Sequence, residues 1–479
     1  MHTRWVQTRH QRTQGGAPVR KPLPNALDID LAGGLTEEVT PHAGVALLVE
    51  LGRRSGVIAA ANKYLPAKKS AKGLGQDQMV ESFVLLSALG GDCIDDFEGL
   101  RRDYGLRALV GYFLPSAPTA RQWLDRFHEE ELVAARPQQG SFIPPQSRWL
   151  AGLRAVVRHT VRAYVATQDM GPVVTLDVDA HLVESAKRTA LPTYEGFRGY
   201  QPLLVSWAEA GLVVADEFRD GNVPPGKEIA RVVDEAYDSL PAGEWQVQVR
   251  SDSAAYDQVV LDHWDERGWR FAVSADMTPQ LRAAIVALPP GAWQFWAEEP
   301  GGFVREWAEV AYVPSRGQER RDIQPYRYLA IRIRPPQGVL FGDGSRVKHF
   351  AVVTNDWEED GQRLLEWHRG KAGTIEQVHR VLKDELAAGV YPSARFGANA
   401  AWLRLQVLTF NLLELLKAAA LDPQYRNARP KRLRFAIFTQ FGRVVRHAHR
   451  QLVRLANLVW EALVVPGRRK IAASIWPTT

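Results

Sequence analysis

The run Val173-Val174-Thr175-Leu176-Asp177-Val178-Asp179 sets the fold class. It is short, rich in β-branched residues and preceded by Gly171, so it reads as a strand. Side chains two apart on a strand share a face, so Asp177 and Asp179 point the same way. Strand-like spacing continues over 202–207 and 212–218. A helix is expected over 226–240, a strand over 246–252, a helix over 256–267 and a strand over 269–274. Three strands with short links can run antiparallel, whereas strands separated by helices should lie parallel to their neighbours. The order predicts a mixed α/β sheet with flanking helices.

Upstream, residues 42–164 show mostly helical apolar spacing. The turn at Pro115-Ser116-Ala117-Pro118-Thr119 supplies hydroxyls that can cap a helix starting near Pro118. Short helices with tight turns suit a DNA-binding helix-turn-helix, with Arg121 and Arg126 toward phosphate, and equally a helical dimerisation domain. Downstream, residues 277–347 break the strand-helix rhythm with Pro289-Pro290, Pro335-Pro336 and many aromatics, as a β-rich insertion would. Among these aromatics Trp293, Trp296 and Trp307 are expected chiefly to fill the insertion's own small core. A strand over 349–354 and a helical stretch over 360–386 close the pattern. A helix over 398–421, apolar on most sides, should be buried.

Composition limits the function classes. The chain has 479 residues, too many for one core. Apolar residues make up 46% and charged residues 24%, which excludes wholesale disorder. One cysteine, Cys93, excludes an intrachain disulfide and a cysteine-cluster metal site. No apolar run approaches the roughly 18 residues of a membrane span, and no secretory signal opens the chain. Net charge is only +6, so its placement matters more than its total. Residues 423–460 contain no Asp or Glu but hold Arg432, Arg434, Arg443 and Arg446 among other basic residues. The alternation Leu433-Arg434-Phe435-Ala436-Ile437 suggests a strand presenting arginine to phosphate. The start, Met1 to about Thr40, reads as a basic tail whose Arg4, Arg9, Arg12, Arg20 and Lys21 could touch nucleic acid.

Acids stand at three places where chemistry is expected. Asp177 and Asp179 lie on the first strand, Asp252 ends a later one, and Glu376 opens a helix. That helix buries Ile375, Val378, Leu382 and Leu386, while Glu376, Arg380 and Lys383 share its polar stripe. Strand ends in such sheets form the ligand-binding edge. Two carboxylates about 4 Å apart repel by roughly 4 kcal/mol at an effective dielectric of 20, so converging acids take up protons or cations. An oxygen-rich, cysteine-free set favours Mg²⁺ or Mn²⁺, and two such ions can drive phosphodiester chemistry.

At these residues the chain resembles the DDE transposases of bacterial insertion sequences, specifically the family numbered thirteen-eighty. The likeness runs through Thr175-Leu176-Asp177-Val178-Asp179-Ala180, Tyr194-Glu195-Gly196-Phe197-Arg198-Gly199-Tyr200, Arg250-Ser251-Asp252-Ser253-Ala254-Ala255-Tyr256, Glu376-Gln377-Val378-His379 and Phe396-Gly397-Ala398-Asn399. It covers most of the chain from about 40 to 460. The resemblance implies a ribonuclease-H-like core with an Asp-Asp-Glu triad holding two divalent ions, Mg²⁺ or Mn²⁺. It implies Asp252 as second acid, Glu376 as third and Asp179 as first, with Asp177 as the alternative. Lys383 matches the family's basic residue seven after the glutamate, and Lys371 and Trp367 are the best matches to its Arg and Tyr. His181 stands where the family usually has Thr. The implied activity is cleavage at transposon ends and joining of the 3′-hydroxyl to target double-stranded DNA, by a homodimer in the bacterial cytoplasm. The rival readings are a decayed, DNA-holding relative and a nuclease that does not join strands. The expected layout is a tail over 1–40, a helical DNA-binding or dimerisation domain over 41–165, and a core over 166–276 and 348–421. The insertion then spans 277–347, and a basic DNA-contact segment spans 422–479.

Overall fold

The computed structural model describes residues 38–68, 72–314, 325–447 and 450–477. Alternation along β1 (Val173–Ala180) builds two faces. Val174, Leu176 and Val178 are fully buried in the apolar core on one side of the sheet. Thr175, Asp177 and Asp179 face the other side. β2 (Leu203–Trp207) and β3 (Leu212–Glu217) follow as antiparallel neighbours. β4 (Gln246–Ser251) and β5 (Arg270–Ser274) come after helices Ile229–Tyr237 and Gln258–Glu266, and both run parallel to β1. The spatial order β3-β2-β1-β4-β5, with its first three strands antiparallel, is the ribonuclease-H-like arrangement.

The β-rich segment expected over 277–347 extends the main sheet. Its strands β6 (Gln294–Glu299), β7 (Phe303–Val310) and β8 (Arg327–Arg334) pair in succession. β8 then pairs with β9 (Lys348–Thr354), and β9 with β5. One sheet therefore runs β6-β7-β8-β9-β5-β4-β1-β2-β3. β5 would otherwise leave an open row of backbone donors and acceptors. β9 runs antiparallel to β5 rather than parallel, because it arrives from the neighbouring strand and not over a crossover helix. The segment also holds a helix, Pro279–Val286, capped by the Thr278 hydroxyl.

The helical stretch over 360–386 is two helices, α1 (Gly361–Arg369) and α2 (Ile375–Glu385), parted by a tight turn at Gly370–Gly373. Gly370 lies against Arg250, where a Cβ would come 2.7 Å from Nη1, the atom that donates to the Trp367 carbonyl at the end of α1. The basic run also departs from expectation. Leu433 to Ile437 is not a strand; Pro430–Leu433 is helical and Arg434–Phe438 continues as a wider helical turn. Proline is pre-organised for the first helical position, and burial of Leu433, Ile437 and Phe438 puts the apolar residues on one helical face. Further on, β10 (Gly442–His447) pairs with β11 (Arg450–Leu455), and Val39–Thr40 adds a third strand. The tail residues Arg4, Arg9, Arg12, Arg20 and Lys21 lie outside the described residues.

A second core gathers helices that precede and follow the sheet strands in the chain. Phe83 and Leu86 of helix Gln76–Ala88, Leu153 and Val157 of helix Arg148–Thr167, and Leu405 and Leu412 of α3 (Phe396–Ala419) belong to it. α3 is buried on most sides, as its composition implies. Two polar side chains fix it to the sheet edge. Asn411 accepts from Val213 N at 3.0 Å and donates to Val213 O at 2.8 Å, so it satisfies the open edge of β3. Arg404 donates to both oxygens of Asp216, at 3.0 and 2.9 Å, and to Leu150 O at 2.7 Å. Among the described residues, no helix is long and apolar enough to cross a membrane.

Arg404 and Asp216 are both almost fully buried. Arg404→Leu leaves an uncompensated buried carboxylate and should destabilise the fold by about 3–5 kcal/mol. Adding Asp216→Leu should recover part of that loss. Thermal melting of the two variants against the parent checks both statements.

Candidate active site

Register brings the first two acids together. β1 and β4 pair in parallel with Asp177 opposite Arg250 and Val178 opposite Ser251. Asp179 and Asp252 are the next residues on each strand, and neighbouring strands lie about 4.8 Å apart. Both acids thus stand at the carboxyl ends of adjacent parallel strands.

Asp177 is wholly committed to structure. It is fully buried, and Arg250 grips it with Nε to Oδ1 at 2.6 Å and Nη2 to Oδ2 at 2.8 Å. The Thr374 hydroxyl also donates to Oδ2. Arg250 continues to the Trp367 carbonyl, so the end of α1 and the start of α2 are tied to the same pair. Nε2 of His368 lies 3.0 Å from Ser251 O and adds a further tie to β4. A carbonyl only accepts, so that nitrogen carries the proton. Burial pushes the His368 ring below its ordinary pKa and keeps it neutral.

Asp179 is partly exposed and has a cation on it. Nζ of Lys371 donates to Asp179 Oδ1 at 2.8 Å and to Val178 O at 3.3 Å. On the other oxygen, Nε2 of His379 lies 3.5 Å away, too far for a firm hydrogen bond. Burial, with His181 and Lys371 nearby, pushes the His379 pKa down to about 3, so the ring is neutral and the contact is no ion pair. The His181 and His379 rings lie 5.5 Å apart, and Lys383 Nζ is 3.5 Å from His181 Nε2.

Asp252 opens the short turn Ser253–Ala255, where Oδ1 accepts from Ala254 N at 3.1 Å. Its side chain is otherwise exposed. Glu376 sits in the first turn of α2, exposed and without a hydrogen-bond or ion-pair partner among the described residues. It lies between Thr374, which holds Asp177, and His379, which faces Asp179. The ligand oxygens of Asp179, Asp252 and Glu376 do not all fall within 4.8 Å of one another. That spacing excludes a ready-made cage for a single ion. A two-ion site is wider: oxygens about 2.1 Å from ions 3.5–4 Å apart can be separated by up to roughly 8 Å.

The basic residues divide. Arg380 and Lys383 are exposed on α2, and Arg432 is exposed beyond it. Arg443 is exposed on β10, and the side chain of Arg446 lies outside the described residues. Arg434 is turned inward, donating to Ala88 O at 3.0 Å and to Ser87 O and Glu385 O at 3.2 Å each. It clamps backbone carbonyls rather than offering its charge to phosphate. Lys371 is buried on Asp179, not displayed. In the helical part, Arg121 pairs with Asp95. Trp307 is buried core, whereas Trp293 carries Arg332 at 4.2 Å and Trp296 carries Arg305 at 5.1 Å.

Residues 27–471 match the transposase DDE domain, group 1. The chain belongs to that family. This DDE transposase is also similar to the piggyBac transposase in a cryo-EM synaptic complex with hairpin DNA. The two share 11% identity over 77% of this chain and 74% of that one, with a TM-score of 0.42. None of the curated proteins matches it.

Three residues of this transposase's site, Arg250, Thr374 and His379, do not stand out in the sequence. A signal exists for one: Arg250 stands two before Asp252, on the face that Asp177 needs. Asp177→Asn should strand the Arg250 charge and destabilise the protein by about 3 kcal/mol. Asp179→Asn, at a pair that keeps some solvent exposure, should cost less than Asp177→Asn. Chemical denaturation of the two variants side by side checks the ordering.

Proposed function

We propose that this transposase cuts duplex DNA at the ends of its mobile element and joins the freed 3′-hydroxyl to target DNA. Asp179, Asp252 and Glu376 form its acidic triad, and two divalent ions, Mg²⁺ or Mn²⁺, are its cofactor. One observation carries the reading: β1 and β4 end side by side in acids on the face covered by the first turn of α2, which carries a third. The donor set fits such ions, being all carboxylate oxygen, with Glu376 unpaired among the described residues and Asp179 already drawing a cation. Asp177 does not join the set, because Arg250 and Thr374 occupy its oxygens.

Divalent ions, when bound, activate the attacking hydroxyl and stabilise the leaving oxygen at phosphorus. The chain's own groups do the rest. The turn after Asp252 fixes one of its oxygens and leaves the carboxylate facing outward. The buried neutral ring of His379 backs Asp179 without adding a competing positive charge. Arg380, Lys383 and Arg432 provide exposed positive charge for the DNA backbone. We take the working form to be a homodimer on paired ends, with residues 41–165 and 422–479 adding DNA or subunit contacts.

Asp252→Asn should reduce end cleavage to background while end binding persists, measured with labelled end DNA in Mg²⁺; cleavage that survives would remove Asp252 from the triad. Supplying a pre-cut 3′-hydroxyl end with target DNA should yield joined product, and cutting without joining would leave a nuclease. Arg380→Ala with Arg432→Ala should lower the slope of log affinity against log salt by about 2, since each neutralised phosphate adds about 0.9 to it. An unchanged slope would put the phosphate-binding groups elsewhere.

A further inference from the structure

Lys371 is the least expected resident of the site. A lysine is seldom buried without a partner, and this one has two: the Asp179 carboxylate at 2.8 Å and the Val178 carbonyl at 3.3 Å. Its backbone sits in the Gly370–Gly373 turn between α1 and α2. That turn is held from both sides, by Arg250 on Trp367 O and by Thr374 on Asp177. The turn is therefore fixed, while the side chain is a flexible four-carbon stem carrying a compact positive charge. The ammonium lies where a cation on Asp179 Oδ1 would lie. Other groups around Asp179 do not duplicate it: His379 Nε2 stands 3.5 Å from its other oxygen, and Lys383 reaches His181 rather than the acid.

We propose that Lys371 is a resident placeholder cation, which neutralises Asp179 while the site holds no divalent ion and must leave its oxygen for one to bind. The inference rests on Asp179 being a metal ligand. It assigns Lys371 a positioning and gating role instead of the DNA contact that the sequence resemblance implies. Its consequence is competition. A divalent ion gains Asp179 only by displacing the ammonium, so metal affinity before DNA binding is held below what the carboxylates alone would give. The released ammonium is then available at the site's rim for an anionic group, such as a phosphate of the incoming strand.

The test measures Mn²⁺ binding to the full chain by electron paramagnetic resonance of free Mn²⁺, with no activity readout. Lys371→Met should raise the apparent affinity about tenfold, equal to ~1.4 kcal/mol of competing pairing removed. Lys371→Arg keeps the charge and should give no increase. Asp179→Asn should lose the site in either background. Were Lys371→Met not to fold, amine labelling of the unaltered protein with peptide mass spectrometry still decides the matter: Lys371 should be protected without metal and labelled once Mn²⁺ is added. An affinity in Lys371→Met equal to or weaker than the parent's overturns the placeholder, as does labelling that ignores Mn²⁺. Unchanged Mn²⁺ binding in Asp179→Asn removes the metal-ligand reading on which it stands.

Discussion

A buried ion pair organises this transposase. Asp177 and Arg250 face each other across two parallel strands, with both carboxylate oxygens engaged and almost no exposure. A slip of one residue would turn every side chain of a strand to the opposite face, so a pair that works in only one register specifies it. The register it selects leaves Asp179 and Asp252 as neighbours at the strand ends. The same pair holds the Trp367 carbonyl and the Thr374 hydroxyl, which fixes where α1 stops and where α2 starts. Glu376 follows Thr374 within the first turn of α2. The positions of Asp179, Asp252 and Glu376, the acids of the proposed triad, therefore all depend on one buried carboxylate whose oxygens Arg250 and Thr374 occupy.

The site's electrostatics follow from that convergence. Carboxylates about 4 Å apart repel by roughly 4 kcal/mol even at an effective dielectric of 20. The protein keeps one of them partly buried next to a lysine, one on a solvent-facing turn and one on an exposed helical turn. Without ions, charge is relieved by Lys371 and by distance. That arrangement explains why the three acids share a neighbourhood without forming a tight single-ion cage. It also explains His368 and His379 beside them: rings kept neutral by burial fill space around the acids without altering the net charge.

Much of this was legible in the sequence. The period-two alternation of β1 and the turn signals after it mark the five core strands, and the apolar stripe Ile375-Val378-Leu382-Leu386 marks the face that α2 buries. What is not legible depends on partners far apart in the chain. The turn at Gly370 is held by the side chain of Arg250, which belongs to a strand far upstream and donates to the Trp367 carbonyl. Arg434 reads as a phosphate contact from its basic surroundings, but three carbonyls from distant segments claim it. The insertion reads as a small β unit of its own, yet its strands complete an edge that β5 leaves open. Local pattern announces the elements; the partners that bend, break or recruit them are set by tertiary packing.

The proposed function requires Asp179, Asp252 and Glu376 jointly to hold divalent ions. Anomalous scattering from Mn²⁺ in crystals of the full chain bound to a pre-cut end would test this most directly. Two peaks about 3.5–4 Å apart are expected, touched by these three carboxylates, with Asp177 still on Arg250. Manganese bound at Asp177, or ordered ions that none of the three acids touches, would contradict it.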